Sequence, residues 1–287
     1  MAKTPNNLVA TFSIVGFDPN TGELGVATQS KFLGVGAVVP WAEANVGAVA
    51  TQSLANTAFG PDGLALLREG KTAQEALDTL TKNDPDAAMR QVGIVDFKGN
   101  SATFTGEGCY DWAGGKAGKN YAAQGNILVG EDTVTAMAET FETTEGQPLA
   151  ERLLSCLHAA QKAGGDKRGM QSAAIYIVKE KGGYGGYNDR YLDLRVDEHE
   201  MPIDELERIY RLHQLYFNKP KEENIVELDD EKKFALSKKL AELGYLEEGG
   251  DFDEAFRNYI HTENFEEREQ EPGKIDLELY YYIVGNH

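Results

Sequence analysis

A chain of 287 residues, 41% of them hydrophobic, can bury a substantial core, and this excludes wholesale disorder. The formal net charge of −19 argues against nucleic acid and against an anionic membrane surface, since nothing here could neutralise a row of phosphates. Cys109 and Cys156 stand far apart without metal-ligand spacing, so reduced thiols rather than a disulfide framework are expected. The opening Met-Ala-Lys-Thr-Pro-Asn-Asn lacks the apolar run of a signal peptide, and no apolar stretch reaches membrane-spanning length. A soluble, cytoplasmic protein with no membrane partner is the expectation.

The chain opens with three short strand patterns. Val9 to Phe17 alternates small polar and large apolar side chains, and Asp18-Pro-Asn-Thr-Gly22 is a turn. Glu23 to Ser30 follows, with Lys31 directly after it. Val46 to Ser53 nearly repeats that strand, because Val-Ala-Thr-Gln-Ser occurs in both. Two helix signals come next: Leu64 to Glu69, stopped by Gly70, and a helix starting at Thr72 with Glu75 completing a capping box. A hairpin is predicted from Gln91–Phe97 and Ser101–Thr105, and glycine-rich Glu107 to Asn120 reads as an irregular loop. Tyr121 to Val129 reads as a strand interrupted at Gln124-Gly-Asn126.

Glu131–Thr143 and Pro148–Ala163 carry apolar residues at spacings of three and four, the mark of amphipathic helices. Ser172–Val178 is apolar nearly throughout, as in a strand buried on both faces. Asn188–Val196 is a further strand, and Pro202–Phe217 an amphipathic helix that closes the main domain. Helices grouped in pairs between runs of strands do not fit a βαβ repeat. They fit an α+β fold, a four-layer αββα sandwich spanning residues 1–217. Beyond the polar link Asn218–Asn224, acidic residues far outnumber basic ones, yet apolar periodicity persists. A small all-helical domain of three helices is expected over residues 225–287.

Three constellations could carry chemistry. In the first, an N-terminal threonine attacks an amide carbonyl with its own α-amine as base. Thr11 would fill that role after cleavage between Ala10 and Thr11, with Lys31 steadying the developing charge and Ser53 close by. The bland alternative is a strand threonine and a surface lysine. The second is the loop Gly164–Gly169, whose Asp166 and Arg168, with Gln171 and Ser172, could orient a polar substrate or simply form an internal salt bridge. The third is Asn188-Asp189-Arg190 with Asp193–Asp197, more often a ladder of ion pairs than a dyad. The five histidines are scattered, so no metal site is expected, and Gly182–Gly186 lacks the ending of a phosphate loop. No cofactor is expected.

Several of these segments together resemble one bacterial domain-of-unknown-function family assigned to the N-terminal-nucleophile (Ntn) hydrolase superfamily. They are Thr11-Phe-Ser-Ile-Val, Gly25–Lys31, Gly36–Glu43, Gly47–Gln52, Gly164–Gly169, Asn188–Arg190 and Asp193–Asp197. The resemblance covers roughly residues 9 to 217. It implies the αββα sandwich and amide-bond hydrolysis, with Thr11, Lys31, Ser53 and Asp166 as catalytic candidates. Gln52, Asn126, Arg168, Gln171 and Asp189 are the substrate-binding candidates. The tail segments Leu236–Tyr245 and Gly249–Ala255, with Phe256 and Tyr259, are similar to a peptidoglycan-binding module often appended to this family.

Two functions follow as expectations. One is an Ntn-type amidohydrolase acting on a small-molecule or peptide amide. The other is a non-catalytic protein that keeps the sandwich as scaffold and recognises peptidoglycan fragments through the tail. Homo-oligomerisation is left open by the sequence.

Overall fold

The computed structural model describes residues 11–285; the proposed cleavage point before Thr11, and Val9 and Ala10 of the first predicted strand, lie outside the described residues. In chain order the strands and helices are β1 Thr11–Asp18, β2 Glu23–Ser30, β3 Pro40–Glu43, β4 Gly47–Ser53, α1 Phe59–Arg68 and α2 Ala73–Lys82. Next come β5 Arg90–Asp96, β6 Ser101–Thr105, β7 Gly114–Gly118, β8 Tyr121–Gly125, α3 Asp132–Thr143 and α4 Leu149–Lys162. The remainder are β9 Ser172–Val178, β10 Arg190–Val196, α5 Pro202–Phe217, β11 Ile225–Glu227, α6 Asp230–Glu242, α7 Phe252–Thr262, β12 Lys274–Asp276 and α8 Leu277–Val284. Among the described residues this is a mixed α and β chain of 8 helices and 12 strands in three sheets, with a largely helical C-terminal region.

The chain divides into two compact units, with the boundary between Glu207 and Arg208 inside α5. In the first unit, six strands form one antiparallel sheet in the order β10-β9-β2-β1-β8-β7, and four form another in the order β3-β4-β5-β6. Alternation sorts the side chains. Val15, Phe17, Leu24, Val26 and Ala122 of the first sheet meet Ala48, Ala50 and Val95 of the second. The opposite face of the first sheet lies against α3 and α4, where Phe141, Leu149 and Leu153 crowd Gly16 closely enough that any side chain there would press on them. The outer face of the second sheet, Val49, Val92, Ile94 and Ala102, packs on α1 and α2 through Leu64, Leu67, Ala76, Leu77 and Leu80. The capping box predicted at Thr72 and Glu75 starts α2.

Four strands are absent from the sequence reading, among them β3, Pro40–Glu43, which pairs with β4. Gly114–Gly118 is an edge strand and not loop: its glycines offer no apolar alternation, and it is held by main-chain pairing with β8. In the second unit, α6, α7 and α8 match the expected helices, but a two-stranded sheet of β11 and β12 joins them. That unit's core is Leu236, Leu240, Tyr259, Ile260, Phe265, Ile275, Leu279 and Ile283, and Leu215 of α5 packs into it. Its buried charge is Arg268, whose guanidinium donates to Asp276 (2.7 Å), Glu278 (2.6 Å) and the carbonyls of Leu215 and Gln214 (2.9 Å each).

Candidate functional site

The register of the first sheet aligns Thr11 with Ser30 and Ser30 with Ser172, so β1 begins where β2 ends and β9 begins. In the second sheet, Ser53 at the end of β4 aligns with Arg90 at the start of β5. These are neighbouring ends, because Gln52 Nε2 on β4 donates to the Thr11 carbonyl on β1 across the gap between the sheets (3.3 Å). Along most of the interface the sheets meet through apolar side chains; at this end they meet through amides and hydroxyls.

The network is traced from donors. Ser13 Oγ donates to Gln52 Oε1 (2.6 Å), and Gln124 Nε2 donates to Ser13 Oγ (2.7 Å). Gln52 Nε2 also donates to Gln91 Oε1 (2.8 Å), which accepts a second bond from Asn126 Nδ2 (2.9 Å). Gln91 Nε2 is spent on the Gly125 carbonyl (2.7 Å), Thr105 Oγ1 (2.9 Å) and the Gly114 carbonyl (3.2 Å). With its NH2 so committed, Gln91 can offer only its oxygen to Gln52 and Asn126, which sets the orientation of all three amides. Gly93 makes room for Gln124, whose Oε1 lies where a β-carbon would stand.

Thr11 is fully buried, and its hydroxyl donates to Ser30 Oγ (3.1 Å). The Thr11 carbonyl also accepts the Asn126 backbone N–H (3.0 Å). Among the polar atoms buried at this end, Asn126 Oδ1, Ser53 Oγ and both polar side-chain atoms of Gln29 make no hydrogen bond. Ser53 also sits at φ +66°, a region that β-strand residues with side chains rarely enter. Beside it, the Cys109 thiol donates to the Arg90 carbonyl, and burial pushes its pKa up. Neighbouring Ile127 is likewise at positive φ, +53°.

Lys31 does not turn inward. Its side chain is exposed and the ammonium donates to the Met170 carbonyl (3.1 Å). Asp166 is buried, and its carboxylate accepts the Lys31 backbone N–H (3.0 Å), the Arg168 backbone N–H (2.9 Å) and the Arg168 guanidinium (2.8 Å). It thereby clamps the end of β2, the internal ion pair that was the alternative reading of this loop. Gln171 is tied by its own N–H to the Ser30 carbonyl (3.0 Å). Thr11, Gln52, Ser53, Asn126, Asp166, Arg168 and Gln171 are thus gathered at one end.

Asp189 is not among them. It precedes β10, whose Arg190 pairs with Val178 at the far end of β9, a strand length of about 20 Å from Ser172. There its carboxylate accepts the Lys181 N–H (2.9 Å). The charges of β10 form ion pairs, Arg190 with Asp193 and Arg195 with Asp197.

Sequence reasoning missed Gln91, Gln124 and Ser13. The available signal was a glutamine at a core-facing position on β5 and another on β8, and for Ser13 the alternation of small polar residues along β1. An open groove of about 500 Å³ between Asn56, Phe59, Asp62, Thr79 and Asp84 shares none of the predicted residues. Among the described residues, no three His, Cys, Asp or Glu side chains gather to hold a metal, and no helix is long and apolar enough to cross a membrane.

Comparison with known proteins bears on both units. Residues 11–206 match the model described as "Family of unknown function (DUF1028)", and residues 216–283 match one described as "Putative peptidoglycan binding domain". A crystal structure from Silicibacter pomeroyi, titled as a DUF1028 protein, is 32% identical, with a TM-score of 0.64 over 71% of this chain and 86% of that one. Anbu (ancestral beta-subunit) from Yersinia bercovieri is 11% identical, with a TM-score of 0.33 over 71% of this chain and 94% of that one. No curated protein matches the chain.

Proposed function

The chain belongs to the family of unknown function DUF1028, and from that premise we propose that it is an Ntn-type amidohydrolase built on a four-layer αββα sandwich. Residues 1–217 would do the chemistry, and the helical residues 225–287 would hold a peptidoglycan fragment. The observation that carries this reading is unspent hydrogen-bonding capacity beside Thr11: Asn126 Oδ1 and Ser53 Oγ are buried without partners at the head of β1. Buried polar groups are nearly always satisfied, and leftover ones mark places awaiting a ligand or water.

Removing residues 1–10 would turn the Thr11 nitrogen from an amide into an amine. The hydroxyl oxygen would then attack the substrate carbonyl while its proton passes to that amine, which returns it to the leaving nitrogen. Water would release the acyl group by the reverse path. Gln52 and Asn126 bind around the nucleophile, while Asp166, Arg168 and Gln171 fix the end of β2 and so act through position. Lys31 contributes only after leaving the Met170 carbonyl, which its flexible stem permits.

The test is the intact mass of the purified protein and its turnover of a peptide amide. A species beginning at Thr11 whose turnover is lost in Thr11→Ala supports the hydrolase. An uncut chain with no turnover sinks it. The complete burial of Thr11 and the outward Lys31 favour the second reading, a non-catalytic binder of wall fragments. That reading expects the uncut chain and Thr11→Ala to bind fragments alike.

A further inference from the structure

At the end of the first sheet opposite Thr11, the loop between β9 and β10 holds two tyrosines almost wholly in solvent. Tyr184 is 84% exposed and Tyr187 91%. A loop held on a rigid scaffold is a common place for recognition residues, and neighbouring exposed rings make a candidate surface where the backbone beneath them is fixed. Here it is fixed. The Gly183 N–H donates to the Asn188 carbonyl (2.9 Å), the Gly186 N–H to the Gly183 carbonyl (2.8 Å), and the Lys179 N–H to the Asp189 carbonyl (2.9 Å). Asn188 Oδ1 accepts the Arg190 N–H and Asp189 Oδ1 the Lys181 N–H, both at 2.9 Å. The two polar side chains that looked like ligands are therefore spent on the loop, and the tyrosines are what it displays.

The surroundings select the partner. Two further rings flank the loop: Arg190 lies over Tyr176 (5.8 Å) and the Lys179 ammonium near Tyr191 (6.0 Å). From Lys179 to Asp193, three basic residues (Lys179, Lys181, Arg190) offset three acidic ones (Glu180, Asp189, Asp193), on a chain of net charge −19. A nucleic acid would need a surplus of cations, and this patch has none. An uncharged chain of rings meets no such barrier. Tyrosine faces suit the C–H faces of sugar rings, and tyrosine hydroxyls and Lys181 suit their hydroxyl and acetamido groups, while Lys179 is paired with Glu23.

We propose that the Tyr184–Tyr187 loop is a saccharide-binding surface for a strand of acetylated amino sugars. The choice of ligand rests on the proposal that this protein meets wall fragments, but not on hydrolysis, since the loop lies away from Thr11.

The probe is the tetramer of N-acetylglucosamine, titrated against the full chain by NMR or calorimetry. The full chain should bind it, and Tyr184→Ala/Tyr187→Ala should weaken binding about tenfold or more with the thermal midpoint unchanged. Thr11→Ala should bind as the parent does, whether or not turnover is found. No binding by the parent overturns the proposal. So does equal binding by the double variant, which would assign the sugar to the C-terminal unit. Loss of self-association in the double variant without loss of sugar binding would assign the tyrosines to a second copy of the chain instead.

Discussion

Arg268 in the second unit and the amide cluster beside Thr11 in the first are both buried and polar, yet they are built on opposite plans. Around Arg268 each nitrogen of the guanidinium has an acceptor, and Asp276 in turn caps α8 by accepting the N–H groups of Glu278 and Leu279. Nothing is left over, which is how a structural joint looks. In the amide cluster the amide donors are spent but the Asn126 Oδ1 acceptor and the Ser53 hydroxyl are idle, and two backbones sit at positive φ. Incomplete satisfaction costs stability, so idle groups beside Thr11 are what a site would require, although Thr133, Arg152 and Gln161 carry idle atoms elsewhere.

The largest effect should come from breaking the complete cluster. Arg268→Met leaves Asp276 buried and unpaired, at a cost of about 3–5 kcal/mol, enough to unfold the second unit. Hydrogen exchange should register lost protection in α6–α8 and retained protection in the two sheets of the first unit. The double change Arg268→Met/Asp276→Asn should recover much of the loss, since the amide oxygen still caps α8 and no unpaired charge is left buried. A double variant no better than the single would mean that packing at Arg268 matters more than charge.

Gln91→Leu is the matching break in the first unit. It strands donors of Gln52 and Asn126 and acceptors at Gly125 and Gly114, costing roughly 2–4 kcal/mol in chemical denaturation. Gln91→Glu keeps the shared acceptor but loses the three donated bonds and sets a buried carboxylate against the Gly125 and Gly114 carbonyls, so it should cost at least as much as Gln91→Leu. If both variants match the parent, the amides reorient freely and the network does not set them.

How much of this could be read before the fold was known divides along the same line. Helices with apolar stripes, the capping box at Thr72 and the two-sided burial of Ser172–Val178 were all legible, because local periodicity carries them. The strand β7 was not, since Gly-Gly-Lys-Ala-Gly has no pattern and depends on a neighbour's main chain. The repeated Thr-Gln-Ser ending pointed to a polar strand end, and both copies do end there. What lay beyond reach was direction. Lys31 follows Ser30 in sequence, but the strand ends there and its side chain swings to Met170. Asp189 belongs to a loop whose end of the sheet depends on long-range register. Gln91 and Gln124 join one network only through Gln52, across two sheets, which no local window contains.

Smaller, and dependent on pH, is the pair of Arg90 and Asp84. Hydrogen bonds from the Arg90 guanidinium hold the Asp84 carboxyl down from 3.8 to about 2. A carboxyl lowered in the folded state stabilises above its unfolded pKa and loses that contribution as pH falls through the folded one. The relevant window is therefore about pH 4 to 2. Denaturation midpoints of Asp84→Asn should fall less steeply across that window than those of the parent, by the uptake of one proton. Equal slopes would mean that Asp84 titrates normally.

The smallest stability effect is the sharpest test of the comparison. Ser53 Oγ makes no hydrogen bond, so Ser53→Ala should change stability by no more than about 0.5 kcal/mol. Ser53→Gly should raise it by up to about 1 kcal/mol by relieving the +66° φ. If the idle groups exist for a ligand, both variants should nonetheless lose turnover or fragment binding while remaining as stable as the parent. A structural serine would behave the other way, with stability lost and function following only to that extent. Measuring midpoint and function on the same two proteins separates the cases, because a strained residue retained without structural benefit needs a reason outside stability.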